Sequence, residues 1–390
     1  MENQGFRPII PNGFPLQVAV LCLRQEVEMK MSALAGLAML VGLGVLLSSC
    51  GSNVGPPQGG DAPFHHLKNG FRNPPDSPKR DIPFKRRVKF FSEAVWRNAV
   101  SKPPSIPTDH ALTRDEAKAR LAAMADNDFV SWIGHATFLV RLDGVNVLTD
   151  PVFSQRASPI SFAGPARLVP PGLLLEDLPP IDVVVISHAH YDHLDTATLE
   201  KMPNKERVTA VVPLGLGKYF KGYGDVREID WFDDVLLPSA NGGFKLTAYP
   251  AVHWSNRSLF DINRTLWMSY GFSAGGHSVF HTGDTETHPS LFKEIGQHMA
   301  GSHGGCDLGL MSVGAYAPRD FMRGAHMDPE GGVNMGRELG CKRMVPMHWG
   351  TFILSFEPFE EPRQRFVEAA GNQALVMKIG ETVPMKAIAR

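Results

Sequence analysis

The apolar run Val183-Val184-Val185-Ile186, followed at once by Ser187-His188-Ala189-His190-Tyr191-Asp192-His193, constrains this chain more than any other stretch. A β-branched run bounded by Pro179-Pro180 and a polar cluster reads as a buried strand, and it cannot continue through the histidines. Four potential metal ligands, His188, His190, Asp192 and His193, therefore sit on the loop at a strand's C-terminal end. His188 and His190 alternate in the extended exit of the strand and can face one cation. Asp192 and His193 follow the turn and can reach a second. Imidazole plus carboxylate is the donor set of zinc, manganese or iron rather than of calcium or magnesium. The competing reading is a polar loop that merely happens to be rich in histidine.

One loop cannot complete two cation sites, and further donors end other apolar segments. His253 follows Phe244–Tyr249, Asp284 follows Ser278-Val279-Phe280, and His348 follows Arg343–Met347. Asp150 closes Val147-Leu148-Thr149. Alone, an Asp or His at a strand end is commonly a cap or turn residue. Their recurrence at several strand ends, with Gly283 and Gly350 permitting close backbone approach, points to one shared site.

These residues, together with Trp132-Ile133-Gly134-His135-Ala136-Thr137, Leu148-Thr149-Asp150-Pro151 and Arg156-Ala157-Ser158-Pro159, carry a resemblance. So do His253-Trp254, Gly283-Asp284-Thr285, His326-Met327-Asp328-Pro329 and His348-Trp349-Gly350-Thr351-Phe352. The chain resembles the metallo-β-lactamase-fold hydrolases, and within them the N-acylphosphatidylethanolamine-hydrolysing phospholipase D family, from about Phe71 to the C-terminus. The resemblance implies a four-layer αββα sandwich and two zinc ions, with other divalent transition metals as alternatives. It implies His188, His190 and His253 on one ion and Asp192, His193 and His348 on the other, with Asp284 bridging them. Asp150 is expected to accept the free N–H of a metal-bound imidazole. A bridging aspartate, where well-known two-zinc β-lactamases carry cysteine, disfavours β-lactam hydrolysis. His135 is either a further group of the site or a strand-turn histidine. His326 is a candidate proton donor to a leaving alkoxide, with Asp284 and Asp192 the other catalytic candidates. The alternative for His326 is a histidine that only precedes a helix begun by Asp328-Pro329.

The N-terminal region reads separately. Met31–Leu47 is an uncharged apolar stretch of seventeen residues behind Lys30, ending in Ser48-Ser49-Cys50-Gly51. That is the layout of a bacterial secretory signal with a lipoprotein cysteine, translation starting at Met29 or Met31. A single membrane-spanning anchor is the other reading. Residues 51–63 form a Gly/Pro/Ser tether and 64–390 the hydrolase domain. Either anchor is expected to put that domain in the cell envelope, lipid-anchored at the outer membrane on the first reading. Residues 64–102 carry ten Lys/Arg against three acids, interleaved with Phe84, Phe90, Phe91 and Trp96. They either lie on anionic headgroups or wrap the domain as a solvated strap.

With 43% hydrophobic residues and a formal net charge of −1, the chain can bury a large core and advertises no nucleic-acid partner. Phospholipid substrate and membrane surface are the expected partners, and a homodimer is open. Strands are expected near 130–132, 137–142, 145–149, 208–212, 244–249, 266–272, 278–280, 308–313, 343–347 and 374–379. Helices are expected near 109–125, 196–202, 290–299, 329–339 and 362–370. The sequence leaves the pairing of Cys306 with Cys341 undecided. Three functions remain: a dinuclear zinc phosphodiesterase acting on membrane phospholipid, a lactonase or other ester hydrolase, and a non-catalytic lipid-binding envelope lipoprotein.

Overall fold

The computed structural model describes residues 62–100, 102–258 and 260–388, so Cys50 and the apolar segment before it lie outside the described residues. A small hairpin, β1 (His66–Leu67) and β2 (Gly70–Phe71), leads into helix α1 (Phe84–Val100) and helix α2 (Arg114–Ala122). Next come β3 (Phe129–Gly134), β4 (Thr137–Leu142), β5 (Val145–Thr149) and β6 (Val183–Val185). Helix α3 (Thr196–Lys201), β7 (Thr209–Pro213) and β8 (Asp225–Ile229) complete that half. The second half runs through β9 (Asp234–Ser239), β10 (Gly242–Tyr249), β11 (Ser269–Ala274) and β12 (His277–His281). It continues with α4 (Leu291–His303), β13 (Cys306–Ser312), α5 (Arg319–Met322), α6 (Pro329–Glu338) and β14 (Cys341–Met347). Helix α7 (Glu361–Ala370), β15 (Thr382–Pro384) and α8 (Met385–Ile388) end it.

Two sheets result, one of order β15-β3-β4-β5-β6-β7-β8 and one of order β14-β13-β12-β11-β10-β9. Each is antiparallel along part of its width and parallel along the rest. β3, β4 and β5 alternate, after which β5 to β8 run parallel. β9 to β12 alternate, after which β12 to β14 run parallel. This direction pattern makes β3, β5 and β6 point the same way within one sheet, and β10, β12 and β14 within the other. The loops that follow those strands are the loops that carry the expected site residues.

The period-2 pattern explains the layering. Val130, Trp132, Phe138, Val140, Val147, Val183 and Val185 belong to the large core that also holds Phe244, Leu246, Tyr270 and Phe280 of the other sheet. The alternate residues Phe129, Ile133, Leu139, Leu148, Val184 and Val212 face the opposite way and meet Ala117 of α2 and Leu199 of α3. A sheet buried on both faces needs continuous apolar strands, which is why these runs carry few polar residues. The architecture is the αββα sandwich.

Several boundaries differ from the sequence reading. Residues 374–379 are not a strand. Ala374 bridges Met344 of the six-stranded sheet, whereas Ile379 bridges Ala111 and Gly380 N donates to Trp132 O of the other sheet. The segment crosses between the sheets, and its alternating apolar residues fill the gap rather than pair. The strand beside β3 is β15 instead. Helix α2 starts only at Arg114, because Leu112 N is tied to Ile379 O and Thr113 makes a capping box with Glu116. The strand expected at 266–272 begins at Ser269. β8 and β9 were not legible, since both are half-exposed; β9 even holds Pro238, tolerated toward a sheet edge.

The basic-aromatic segment folds as α1 and packs on the domain. Phe90 stacks on Phe321 at 3.9 Å between centroids and on Phe356 at 4.8 Å. Its opposite side presents Phe84 and Trp96, 57% and 65% exposed. Register puts Cys306 opposite Cys341 on β13 and β14, Cα atoms 4.4 Å apart, and a disulfide joins them. It closes a separation of 35 residues, so Cys306→Ser should lower the unfolding free energy by about 2–4 kcal/mol. Denaturant midpoints that coincide for variant and wild type under non-reducing conditions would contradict that bond in the folded chain.

Candidate metal centre

The ends of six like-directed strands meet at one edge of the sandwich. β3 delivers His135, β5 delivers Asp150, and β6 delivers His188, His190, Asp192 and His193. From the facing sheet, β10 delivers His253, β12 delivers Asp284 and β14 delivers His348. The turns are tight: His135, Asp150 and His348 take φ of +54°, +36° and +66°, a region that side chains other than glycine rarely occupy. Such backbones persist only where surrounding contacts over-determine them. Gly283, at φ +55°, lies so close to Ser187 that a Cβ would sit 2.6 Å from the serine Cβ. Gly350, at φ +72°, would bring a Cβ within 2.5 Å of the His110 ring.

Two groups of donors form. His188 Nε2 lies 2.8 Å from His190 Nδ1, and His253 Nε2 lies 3.3 Å from the same atom. Asp192 Oδ2 lies 3.1 Å from His348 Nε2 and 3.4 Å from His193 Nε2. Asp284 Oδ2 stands between the groups, 3.2 Å from His193 Nε2 and 3.1 Å from His348 Nε2. It is also 3.9 Å from both His188 Nε2 and His253 Nε2. His135 Nε2 reaches Asp192 Oδ2 at 3.1 Å, so this strand-turn histidine also stands inside the cluster. His326 Nδ1 lies 3.8 Å from Asp284 Oδ2 and is partly open to solvent. Two residues on, Asp328 caps α6 by accepting from Gly331 N.

The tautomers test whether these residues fit a cation. His253 Nδ1–H donates to Ala325 O at 2.8 Å, and His193 Nδ1–H donates to Asp150 Oδ2 at 2.8 Å. When the ring is neutral, the Nε2 of each is therefore a lone pair aimed at the cluster, and buried His193 Nε2 has no hydrogen-bond partner among the described residues. Lone pairs facing lone pairs and carboxylates repel unless a cation lies between them. Bonds of 2.0–2.1 Å in a tetrahedral zinc site imply donor–donor spacings of about 3.3 Å. Five contacts among the seven expected ligands fall between 3.1 and 3.4 Å. The donor set fits divalent transition metals.

Residues that the sequence did not single out hold this set in place. Asp150 accepts from Ser187 N at 2.6 Å and Ser187 Oγ at 2.7 Å as well as from His193. Ser312 Oγ donates to Asp284 Oδ1 at 2.9 Å, which leaves Oδ2 to the imidazoles. Thr351 Oγ1 accepts from His135 N, and Trp132 Nε1 donates to His135 O. Arg257 donates to the carbonyls of Ala189 and Leu194 and so clamps the ligand loop. Ser312 had one legible signal, a polar residue closing an apolar strand. The others are contacts between distant segments that spacing cannot reveal.

Charge divides the cluster. Burial raises Asp284 and Asp192, but neighbouring imidazoles, His193 foremost, outweigh it and hold both carboxyls well below their usual range. Burial pulls His348 down, yet Asp284 and Asp192 push it up to about 9. His193 is likewise raised against its burial, by Asp284, Asp192 and Asp150. Burial takes His190 and His253 down to about 3, and His135 with them.

Residues 145–349 match the family model of the β-lactamase superfamily domain. The chain belongs to the metallo-β-lactamase superfamily. It is 39% identical over 296 residues to an uncharacterized protein of Mycobacterium tuberculosis, covering 74% of each chain. It is 36% identical over 249 residues to N-acyl-phosphatidylethanolamine-hydrolyzing phospholipase D 1 of Caenorhabditis elegans, covering 62% of this chain and 69% of that one. A possible metal-dependent hydrolase of Veillonella parvula shares the fold, with a TM-score of 0.54 at 19% identity over 66% of this chain and 99% of that one. The expected fold and the resemblance to the phospholipase D branch both hold. This superfamily member is a metal-dependent hydrolase.

A hydrolase of this kind must exchange protons for metal. Imidazole binds a cation only when neutral, and His193 and His348 hold protons at neutral pH. Their pKa values are raised, so metal affinity should climb as pH rises toward about 9. Uptake near neutral pH should release at least one proton per chain. Calorimetric titration in buffers of different ionisation enthalpy counts those protons, and a count of zero would remove the assigned charges.

Proposed function

We propose that this protein is a dinuclear zinc-dependent phosphodiesterase of membrane phospholipid. Its leading substrate is an N-acylphosphatidylethanolamine, cleaved to phosphatidic acid and an N-acylethanolamine. The observation that carries the reading is the shared oxygen of Asp284, within 4 Å of imidazoles from both donor groups. In this reading His188, His190 and His253 hold one cation, Asp192, His193 and His348 hold the other, and Asp284 serves both. When bound, two zinc ions or other divalent transition metals supply a nucleophile from water at neutral pH and positive charge for phosphoryl oxygens. The similarity to the nematode phospholipase D supports the lipid substrate.

The chain's own groups then orient and move protons. Asp150 fixes the ring of His193, Ala325 O fixes that of His253, and Ser312 fixes the carboxylate of Asp284. His326 stands beside Asp284, and burial, with His253, His348 and Arg80, holds it well below the usual imidazole range despite Asp284. It therefore enters the cycle neutral. The proton for the departing alkoxide comes from the attacking water and must first be captured by its Nδ1, which has no partner among the described residues. His326 acts as base and then acid, rather than as a donor from the outset.

Hydrolysis in oxygen-18 water tests the reaction. Attack at phosphorus puts the label in the phosphate product, whereas ester or lactone hydrolysis puts it in a carboxylate. His326→Ala should slow an alkyl phosphodiester by about 10²–10⁴-fold and largely spare an aryl phosphodiester, whose leaving group needs no proton. Label in a released fatty acid would replace the phosphodiesterase by an esterase. Equal losses on both substrates would strip His326 of its proton.

We also propose delivery to the cell envelope through lipidation of Cys50. Among the described residues no helix is long and apolar enough to cross a membrane. The outward face of α1, with Phe84, Lys85, Val88, Lys89 and Trp96 exposed, suits an anionic lipid surface. Radiolabelled palmitate should enter the wild-type chain in a bacterial host and not Cys50→Ser. Labelling of the serine variant would end the lipoprotein reading.

A further inference from the structure

The strap from Asn73 to Ile82, between β2 and α1, is fastened beside the metal centre. Asn73 Oδ1 accepts from His253 N at 2.9 Å and from Trp267 Nε1 at 3.0 Å. Pro75 O accepts from His288 Nε2 at 2.6 Å. Further along, Pro78 O, Arg80 Cβ and Lys79 O stand 3.3, 3.4 and 3.5 Å from the place a Cβ on Gly324 would occupy. Gly324 is two residues before His326. The strap therefore sets Arg80 against the segment that carries His326.

The guanidinium of Arg80 lies over the ring of Trp254, its Cζ 4.6 Å from the centroid. The indole in turn meets the ring of His190 at 4.5 Å. The charge is close enough to bear on both His253 and His326. Yet Arg80 Nε is buried with no hydrogen-bond partner among the described residues. Burial and the charge of Arg87 lower its pKa to about 10, with no carboxylate offsetting them, and it stays cationic at neutral pH.

Other half-buried arginines of the domain are answered. Arg167 donates to the carbonyls of Ser154 and Val152, and Arg257 to those of Ala189 and Leu194. Arg319 pairs with Glu286. Arg86 Nη1 and Arg343 Nε are also unanswered, but Arg86 pairs with Asp320 and Arg343 donates to Ala374 O, whereas the Arg80 guanidinium makes no hydrogen bond or ion pair among the described residues. A guanidinium is a planar fork of donors matched to two oxygens of one phosphate, and an unpaired buried donor costs stability unless a ligand answers it. The contact with the Trp254 ring anchors the guanidinium while its Nε remains to be answered by that ligand.

We propose that Arg80 is a substrate-anion residue, its fork taking the non-bridging oxygens of a phosphate group held beside the metal centre. The proposal rests on the phosphodiesterase reading and adds to it a recognition element supplied from outside the sandwich.

The test uses the full chain loaded with zinc, as wild type, Arg80→Met and Arg80→Lys. Inorganic phosphate is titrated calorimetrically, with metal content and near-ultraviolet dichroism recorded for each protein. Arg80→Met should weaken phosphate binding about tenfold to a hundredfold at unchanged metal content, and Arg80→Lys should keep part of the affinity. Hydrolysis of a phosphodiester should fall in the same order, while a neutral carboxylic ester, if cleaved, should be spared. Phosphate affinity equal to wild type in Arg80→Met would overturn the proposal. Loss of metal or of the dichroism signal in both variants would overturn it too, by making Arg80 a packing residue. A wild type that binds phosphate through Arg80 but cleaves no phosphodiester would defeat the proposed reaction and leave this assignment standing.

Discussion

Two carboxylates buried among imidazoles dominate the energetics of this molecule. Burying an ionised carboxylate without compensation costs far more than a domain's net stability, so Asp192 and Asp284 must be answered by positive charge. The chain answers in part with protons on His193 and His348, and a divalent cation answers more fully. The rest of the structure serves that exchange. Strand direction brings the donors to one edge, positive-φ turns aim them, and Asp150, Ser312 and Ala325 O fix which atom of each ring or carboxylate faces inward. His193 and His348, which stand nearest the two carboxylates, carry the raised pKa values, while His190 and His253 are lowered.

Much of this was legible in the sequence because the strands are buried on both faces. Val183–Val185 and Thr137–Leu142 have to be apolar nearly throughout, and the first polar residue after each run marks where the sheet ends. Ligand-bearing loops inherit that clarity. Legibility fails where burial is one-sided. Asp225–Ile229 and Asp234–Ser239 alternate with charged or exposed residues and carry little signal. It also fails where an apolar pattern has another cause, as in residues 374–379, which bridge two sheets instead of extending one. The family resemblance supplied the assignment of donors to two groups; the distances now stand beside it as independent geometry.

The site's supports were the least visible part. Asn73, Ser187, Ser312 and Arg257 are ordinary polar residues in the sequence, and each matters because a distant segment comes to it. The roles of His135 and His326 sharpen for the same reason. His135 lies against Asp192 while its main chain closes a strand, and His326 faces Asp284 just before Asp328 starts a helix. For His135 the two sequence readings are simultaneous properties of one residue; for His326 the structure adds its place beside Asp284.

The strap at Asn73 has a practical consequence for how such proteins are cut and recombined. The region recognisable as the superfamily domain begins at residue 145 and ends at 349. Asn73, which bonds the main chain of His253, lies outside it, as do His135 and the strand Thr382–Pro384 that seals the edge beside β3. The heritable module and the cooperative folding unit therefore have different borders. Grafting residues 145–349 onto another scaffold would transfer nearly every donor atom while leaving behind the pieces that keep those atoms aimed.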